Sequence, residues 1–247
     1  MKLTDRVALV TGASRGLGRA MALAFAAEGA DVAVSARSAG ALDELAGKIG
    51  AMGRAGFAVA ADLGEEAEIA RLAAAVLERF GRVDILVNNA AIIHPRVDLV
   101  DFDAALWRAV VEVNLIAPAL LIKAVLPSMM ARRSGKIINI SSIGGRRGGA
   151  GRTAYRATKA ALISLTESVA AEVRGHGIDV NCICPGGVDT EGFRAAFGGR
   201  GRADDPTLMR PEEIADVAVF LASDASTAIT GTAINAFGGT NPLFKRG

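Results

Sequence analysis

Short apolar runs rich in β-branched residues alternate with longer stretches of helical composition along almost the whole chain. Val7 to Val10 is apolar at every position, a pattern that predicts a strand covered on both faces. A glycine-rich loop, Thr11 to Gly18, leads into a helical stretch over Arg19–Glu28, which Gly29 stops. The alternation continues with strands over Asp31–Ala36 and Ala55–Ala61, and a third from Asp84 into the polar corner Asn88–Ala91. Further strands are predicted over Lys136–Ile140, Ile178–Cys184 and Thr232–Phe237. Helices are predicted over Ala41–Met52, Glu65–Phe80, Asp103–Arg132, Thr153–Arg174 and Pro211–Ser223. The last has proline in its first turn, where the missing N–H costs nothing, and Asp103–Arg132 is interrupted near Asn114 and Pro118. Strands that alternate with helices imply a parallel sheet covered on both faces, an α/β fold. Gly198–Pro206, rich in glycine and charge, reads as a mobile segment.

Length and composition narrow this picture. The chain has 247 residues, which fits one α/β domain over residues 1–247 better than two small ones. A net charge of +2 gives no reason to expect a nucleic-acid partner. The two cysteines, Cys182 and Cys184, alternate on a predicted strand and share a face; they read as buried thiols of a reducing compartment, with poor geometry for a disulfide and too few ligands for zinc. No metal cluster is visible, and His94 and His176 read as ordinary loop residues. The apolar stretch Val113–Ile122 is too short to span a bilayer, and Arg6–Val10 is too short for the core of an export signal. A soluble cytoplasmic protein is expected.

Three stretches carry chemistry. Thr11-Gly-Ala-Ser-Arg-Gly-Leu-Gly18 joins a strand to a helix, so Gly12, Ser14, Arg15, Gly16, Leu17 and Gly18 are placed to cradle a pyrophosphate against a helix N-terminus. The second strand ends in Ala36-Arg37, where a carboxylate would bind a ribose 2′-hydroxyl and an arginine accommodates a 2′-phosphate. Arg37, with Arg15, therefore favours NADP(H) over NAD(H). The third stretch is the helix that opens at Thr153. Tyr155, the chain's single tyrosine, and Lys159 are four apart, so they leave one helix face together. An ammonium beside a phenol favours the phenolate, and Ser142, at the end of the fifth strand, is placed to bind a substrate oxygen. Asn114, in apolar surroundings, must satisfy its amide as a structural bridge or in a proton relay.

Taken together, Thr11-Gly-x-x-x-Gly-x-Gly18, Asp62-Leu63, Asn88-Asn-Ala90, Asn114, Ser142, Tyr155-x-x-x-Lys159 and Pro185-Gly-x-Val-x-Thr190 resemble the short-chain dehydrogenase/reductase family from Val7 to Gly239. The resemblance implies a single Rossmann-type doubly wound domain with a seven-stranded parallel sheet. It also implies a homotetramer or dimer, assembled through the regions around Asp103–Arg133 and Thr153–Arg174. It implies further that Tyr155 acts as general acid, Lys159 lowers the pKa of Tyr155 and holds the nicotinamide ribose, and Ser142 binds the substrate oxygen. Asn114 would hold a relay water, Asp62 would meet the adenine amine, and Asn89 the adenosine side. Pro185, Gly186, Val188 and Thr190 would line the nicotinamide end, with Val188 and Thr190 orienting the carboxamide.

Within the family the chain is most similar to 3-oxoacyl-(acyl-carrier-protein) reductases, which implies a small-molecule carbonyl substrate and an acyl carrier protein as partner, docked at Arg132 and Arg133. A dehydrogenase of a sugar, polyol or other secondary alcohol is the alternative, and a catalytically silent nucleotide sensor is the rival of another class. Three departures stand out: Ala91 where the family has glycine, Phe237 where it has aspartate, and an unusual Thr190–Pro211 segment. Arg146, Arg147 and Arg152, between Ser142 and Tyr155, are candidates to attract an anionic substrate.

Overall fold

The computed structural model of the chain describes residues 1–196 and 205–242. Each apolar run named above becomes a strand because its neighbouring side chains are needed on opposite faces of one sheet. In β1 (Val7–Thr11), Ala8 and Val10 enter one core while Leu9 enters the other. The seven parallel strands lie in the order β3-β2-β1-β4-β5-β6-β7. They are β1, β2 (Asp31–Ala36), β3 (Gly56–Ala60), β4 (Ile85–Asn88), β5 (Gly135–Ile140), β6 (Ile178–Pro185) and β7 (Ala233–Ala236). The order turns outward from β1 in one direction and from β4 in the other, so the fold is doubly wound and has its switch point between those strands.

One face is covered by α1 (Gly16–Ala27), α2 (Ala39–Ala51) and α9 (Pro211–Ala222), whose Phe25, Leu45 and Ile214 meet in one core. The other face is covered by α3 (Glu66–Phe80), α5 (Ala117–Arg132) and α7 (Thr153–Val173), through Leu72, Leu121 and Val169. Short helices α4 (Ala104–Val111), α6 (Ile143–Arg146) and α8 (Glu191–Ala196) complete the described set.

The predicted interruption near Asn114 is a π turn, Glu112–Ile116, between α4 and α5. Pro118 does not break the chain because it falls in the first turn of α5. By length and composition the continuous helical run Ala104–Arg132 could cross a membrane, contrary to the reading of Val113–Ile122 alone. It packs instead on α3, α7 and β5 as a helix of the fold. The predicted mobile segment falls mostly on residues 197–204, outside the described residues.

Candidate active site

All seven strands point their C-terminal ends to one edge, and the loops leaving β1 through β6 enclose a cleft there of about 970 Å³. Gly12, Ser14, Arg15, Gly16, Leu17 and Gly18 line its floor. Gly12 and Gly16 have φ of 64° and 53°, and a Cβ at Gly12 would lie 2.8 Å from the Ala90 Cα. A side chain is therefore excluded where the glycine loop packs directly on the chain that follows β4. Asn89 lines the cleft, but its amide N–H₂ is engaged in the floor itself, donating to the Thr11 and Gly12 carbonyls at 2.9 and 3.2 Å. The Asn89 amide nitrogen thereby braces the glycine loop, while the residue lines the cleft as a cofactor contact requires.

Arg15 and Arg37 line the same end, both exposed, and neither makes an ion pair among the described residues. Arg19, one turn on, is held by Glu44 at 3.0 Å. Asp62 and Leu63 follow β3 into the lining, where Asp62 Oδ1 accepts from Gly64 N at 2.9 Å. Across the cleft, Pro185, Gly186, Val188 and Thr190 line the wall after β6. Thr240 ties that wall down: its Oγ1 accepts from Gly187 N at 3.0 Å and donates to Phe237 O at 2.6 Å. The turn is thus anchored without the carboxylate that Phe237 replaces. Sequence reading missed Thr240 because a threonine near a chain end carries no pattern of its own.

At the middle of the cleft stand Ser142, Tyr155 and Lys159. Ser142 caps α6 by accepting from Gly144 N at 3.0 Å. The Lys159 ammonium lies 5.8 Å from the Tyr155 ring centre and donates to Ile140 O at 2.7 Å. Desolvation pushes the Tyr155 phenol above its ordinary value, while the Ser142 hydrogen bond and the charges of Arg152 and Arg156 pull it back. Desolvation also brings Lys159 down from 10.5 to about 8, with Cys182 and Cys184 acting against the change. Arg152 and Arg156 add their charges to that of the Lys159 ammonium, which lies over the phenol ring.

Asn114 does not line the cleft. Its Oδ1 accepts from Ile92 N at 2.8 Å, and its Nδ2 donates to Ile92 O and Thr158 Oγ1 at 3.2 and 3.3 Å. Of the two roles open to a buried asparagine, its side chain takes the bridge, joining the π turn to the loop after β4 and to α7. Cys182 and Cys184 are buried free thiols, as expected.

The charged candidates divide. Arg146 and Arg147 are exposed and outside the lining, whereas Arg152 is 5% exposed and inside it. Arg156, inside the Tyr-Arg-x-x-Lys motif, also lines the cleft and was missed, hidden in a variable position of the pattern. His94 is buried, not an ordinary loop residue: Nδ1 donates to Pro95 O at 2.6 Å, leaving Nε2 to accept from Tyr155 N at 3.4 Å. Arg132 and Arg133 do not border the cleft. Arg132 donates to Val83 O at 2.8 Å and lies 3.6 Å from Asp84, just before β4, while Arg133 donates to Gly175 O at 2.9 Å ahead of β6. Both therefore sit at the opposite edge of the sheet, because α5 runs antiparallel to the strands.

A seven-stranded doubly wound sheet with a glycine cradle at its switch point defines a Rossmann-type nucleotide-binding fold. The chain belongs to the short-chain dehydrogenase family, whose model, described as short chain dehydrogenase, matches residues 6–199. It is 40% identical over 250 residues to a 3-oxoacyl-(acyl-carrier-protein) reductase of Synechocystis sp., covering 96% of this chain and 97% of that one. It is 39% identical over 240 residues to a cis-4-hydroxycyclohexanecarboxylate dehydrogenase of Sinomonas cyclohexanicum, covering 95% and 96%. The crystal structure of levodione reductase superposes with a TM-score of 0.91 at 31% identity, covering 98% of this chain and all of that one. The family is one of NAD(P)(H)-dependent oxidoreductases.

Proposed function

We propose that the chain, acting as one domain, is an NADP(H)-dependent reductase that converts a carbonyl, a 3-oxoacyl thioester or a related ketone, into a secondary alcohol. The observation that carries the reading is the convergence of Ser142, Tyr155 and Lys159 in one cleft with the glycine cradle. The cradle fits a dinucleotide, since the N-terminus of α1 carries no side-chain cap and its first residues line the cleft. Gly12 to Gly18, Asp62, Leu63, Pro185, Gly186, Val188 and Thr190 would hold the cofactor, with Arg15 and Arg37 as the open cations that suit a 2′-phosphate. When bound, a dihydronicotinamide supplies a hydride to the carbonyl carbon.

The side chains do the rest. Tyr155 gives its phenolic proton to the carbonyl oxygen, and Ser142 donates a hydrogen bond to the same oxygen. Burial keeps the phenol protonated at neutral pH, the form an acid needs, and the charges of Arg152 and Arg156 stabilise the phenolate left behind. Lys159, with a pKa of about 8, is largely an ammonium at neutral pH and would hold the nicotinamide ribose.

A second reading, dehydrogenation of a secondary alcohol, is favoured by the relative named for cis-4-hydroxycyclohexanecarboxylate. An acyl carrier protein remains a partner of the first reading, docked elsewhere than Arg132 and Arg133. A cytoplasmic homotetramer is the proposed form, supported by the exposed apolar Leu99, Val100 and Ile116 beside or between α4 and α5. The test is oxidation of NADPH, and separately NADH, with a short 3-oxoacyl thioester beside a panel of ketones and keto-sugars. Turnover of the thioester supports the first reading, turnover of another carbonyl moves the substrate, and cofactor binding without any turnover refutes the enzyme.

A further inference from the structure

We propose that His94 is a positioning residue for Tyr155: its imidazole caps α7 from outside that helix and so fixes where the phenol stands in the cleft. The inference rests on the reductase reading and extends it by one residue. α7 opens at Arg152, whose side chain offers donors only and makes no cap bond, so the first N–H groups of the helix need acceptors from elsewhere. The third of them belongs to Tyr155. It donates to His94 Nε2 at 3.4 Å, from a residue 61 positions away in the chain.

The neighbours of the imidazole leave it one way to serve. Nδ1 lies 2.6 Å from Pro95 O, which can only accept, and the Tyr155 amide can only donate, so the ring proton sits on Nδ1 and the Nε2 lone pair faces the helix. The residue is 2% exposed, and its ring stands edge to face with Phe102 at 4.7 Å, as Phe102 does with Trp107 at 5.5 Å. His94 does not line the cleft, so it reaches the reaction only through Tyr155. Two backbone bonds reinforce the link: His94 O accepts from Arg152 at 2.9 Å, and Val97 N donates to Gly151 O at 2.9 Å. The far side of the same residue is held as well, since Tyr155 O accepts from Thr158 Oγ1 at 2.9 Å, and Thr158 Oγ1 from Asn114 Nδ2 at 3.3 Å. An acid must stand within hydrogen-bond reach of the oxygen it protonates, so a slack first turn in α7 costs turnover and leaves the glycine cradle as it is.

The test has two arms. The first reads the ring nitrogens of His94 in the wild type by ¹⁵N NMR at about pH 8, above the ordinary imidazole range, with His176→Gln to assign the chain's two histidines. The cap requires the Nδ1–H tautomer; the Nε2–H tautomer overturns it, whether or not any variant folds. The second compares His94→Phe, which keeps an aromatic ring against Phe102 and removes the acceptor, with His94→Gln, whose side-chain oxygen extends toward the Nε2 place. His94→Phe should lower kcat by about 5- to 100-fold, the scale of one buried donor left unpaired, with KM and the NADPH dissociation constant within about three-fold. His94→Gln should restore part of that kcat. A loss of less than about five-fold, equal losses in the two variants, or a parallel loss of NADPH affinity overturns the proposal. The Nδ1–H tautomer in a protein that turns over no carbonyl would instead retain the cap and refute the reductase.

Discussion

Lys159 is 2% exposed, and burial holds its pKa at about 8 instead of 10.5. Below about pH 8 folded and unfolded chains both carry the proton, and the folded one does so against its desolvation. From about pH 8 to 10.5 the folded chain has released it while the unfolded chain still binds it, so folding stability rises with pH across that window. At about 1.4 kcal/mol per pH unit, the gain is roughly 3 kcal/mol, a large share of a domain's net stability. Lys159→Met removes the titration, and it also leaves Ile140 O without its donor, an offset of about 1 kcal/mol that does not vary with pH. The assay is urea unfolding of both proteins at one protein concentration, at about pH 7 and in steps to about pH 10.5. The distant surface lysines titrate in both chains and cancel in the difference, and Cys182 and Cys184, which act electrostatically on Lys159, are changed to alanine in both proteins. The protein that keeps Lys159 should gain on Lys159→Met by roughly 3 kcal/mol between those limits. A difference that stays flat would refute the burial of a strained ammonium at this position.

Two further outcomes follow from the same structure. Arg37→Ala should weaken NADPH by about ten-fold or more and leave NADH nearly unchanged in fluorescence titrations, because Arg37 is an open cation at the ribose end; equal losses would remove it from the 2′-phosphate. Phe25→Ala should lower unfolding stability by about 3–5 kcal/mol in denaturant titration, since Phe25 is fully buried between α1 and the sheet. A loss under about 1 kcal/mol would mean that the core re-closes around the gap.

The architecture was legible wherever one residue type had one physical use. Val7–Val10 reads as a strand covered on both faces, and Gly12 to Gly18 as a glycine turn between a strand and a helix that suits a close approach. The cleft gathers every residue proposed from sequence for cofactor and chemistry except Asn114, because those motifs all follow strand ends and parallel strands share one edge. What could not be read is what depends on which neighbour arrives. Lys159 lies one turn from Tyr155 as its spacing requires, yet its ammonium turns to the Ile140 carbonyl, an acceptor 19 residues away that spacing does not reveal. Asn89 likewise meets the glycine loop 77 residues earlier. Arg132 reads as a free helix end until the return of α5 to the lower edge of the sheet brings Asp84 to it. Arg152 stood beside Arg146 and Arg147 as an equal candidate until burial separated it, and Arg156 lay in a variable position of the Tyr-x-x-x-Lys motif.

The most direct test of the account compares the wild type with Tyr155→Phe, following NADPH oxidation with the best carbonyl of the panel and NADPH binding by fluorescence. Loss of the proton donor should cut kcat by roughly 10²–10⁴-fold while the dissociation constant for NADPH stays within about three-fold. Turnover by Tyr155→Phe close to that of the wild type would contradict the role given to Tyr155 and, with it, the chemistry assigned to the cleft.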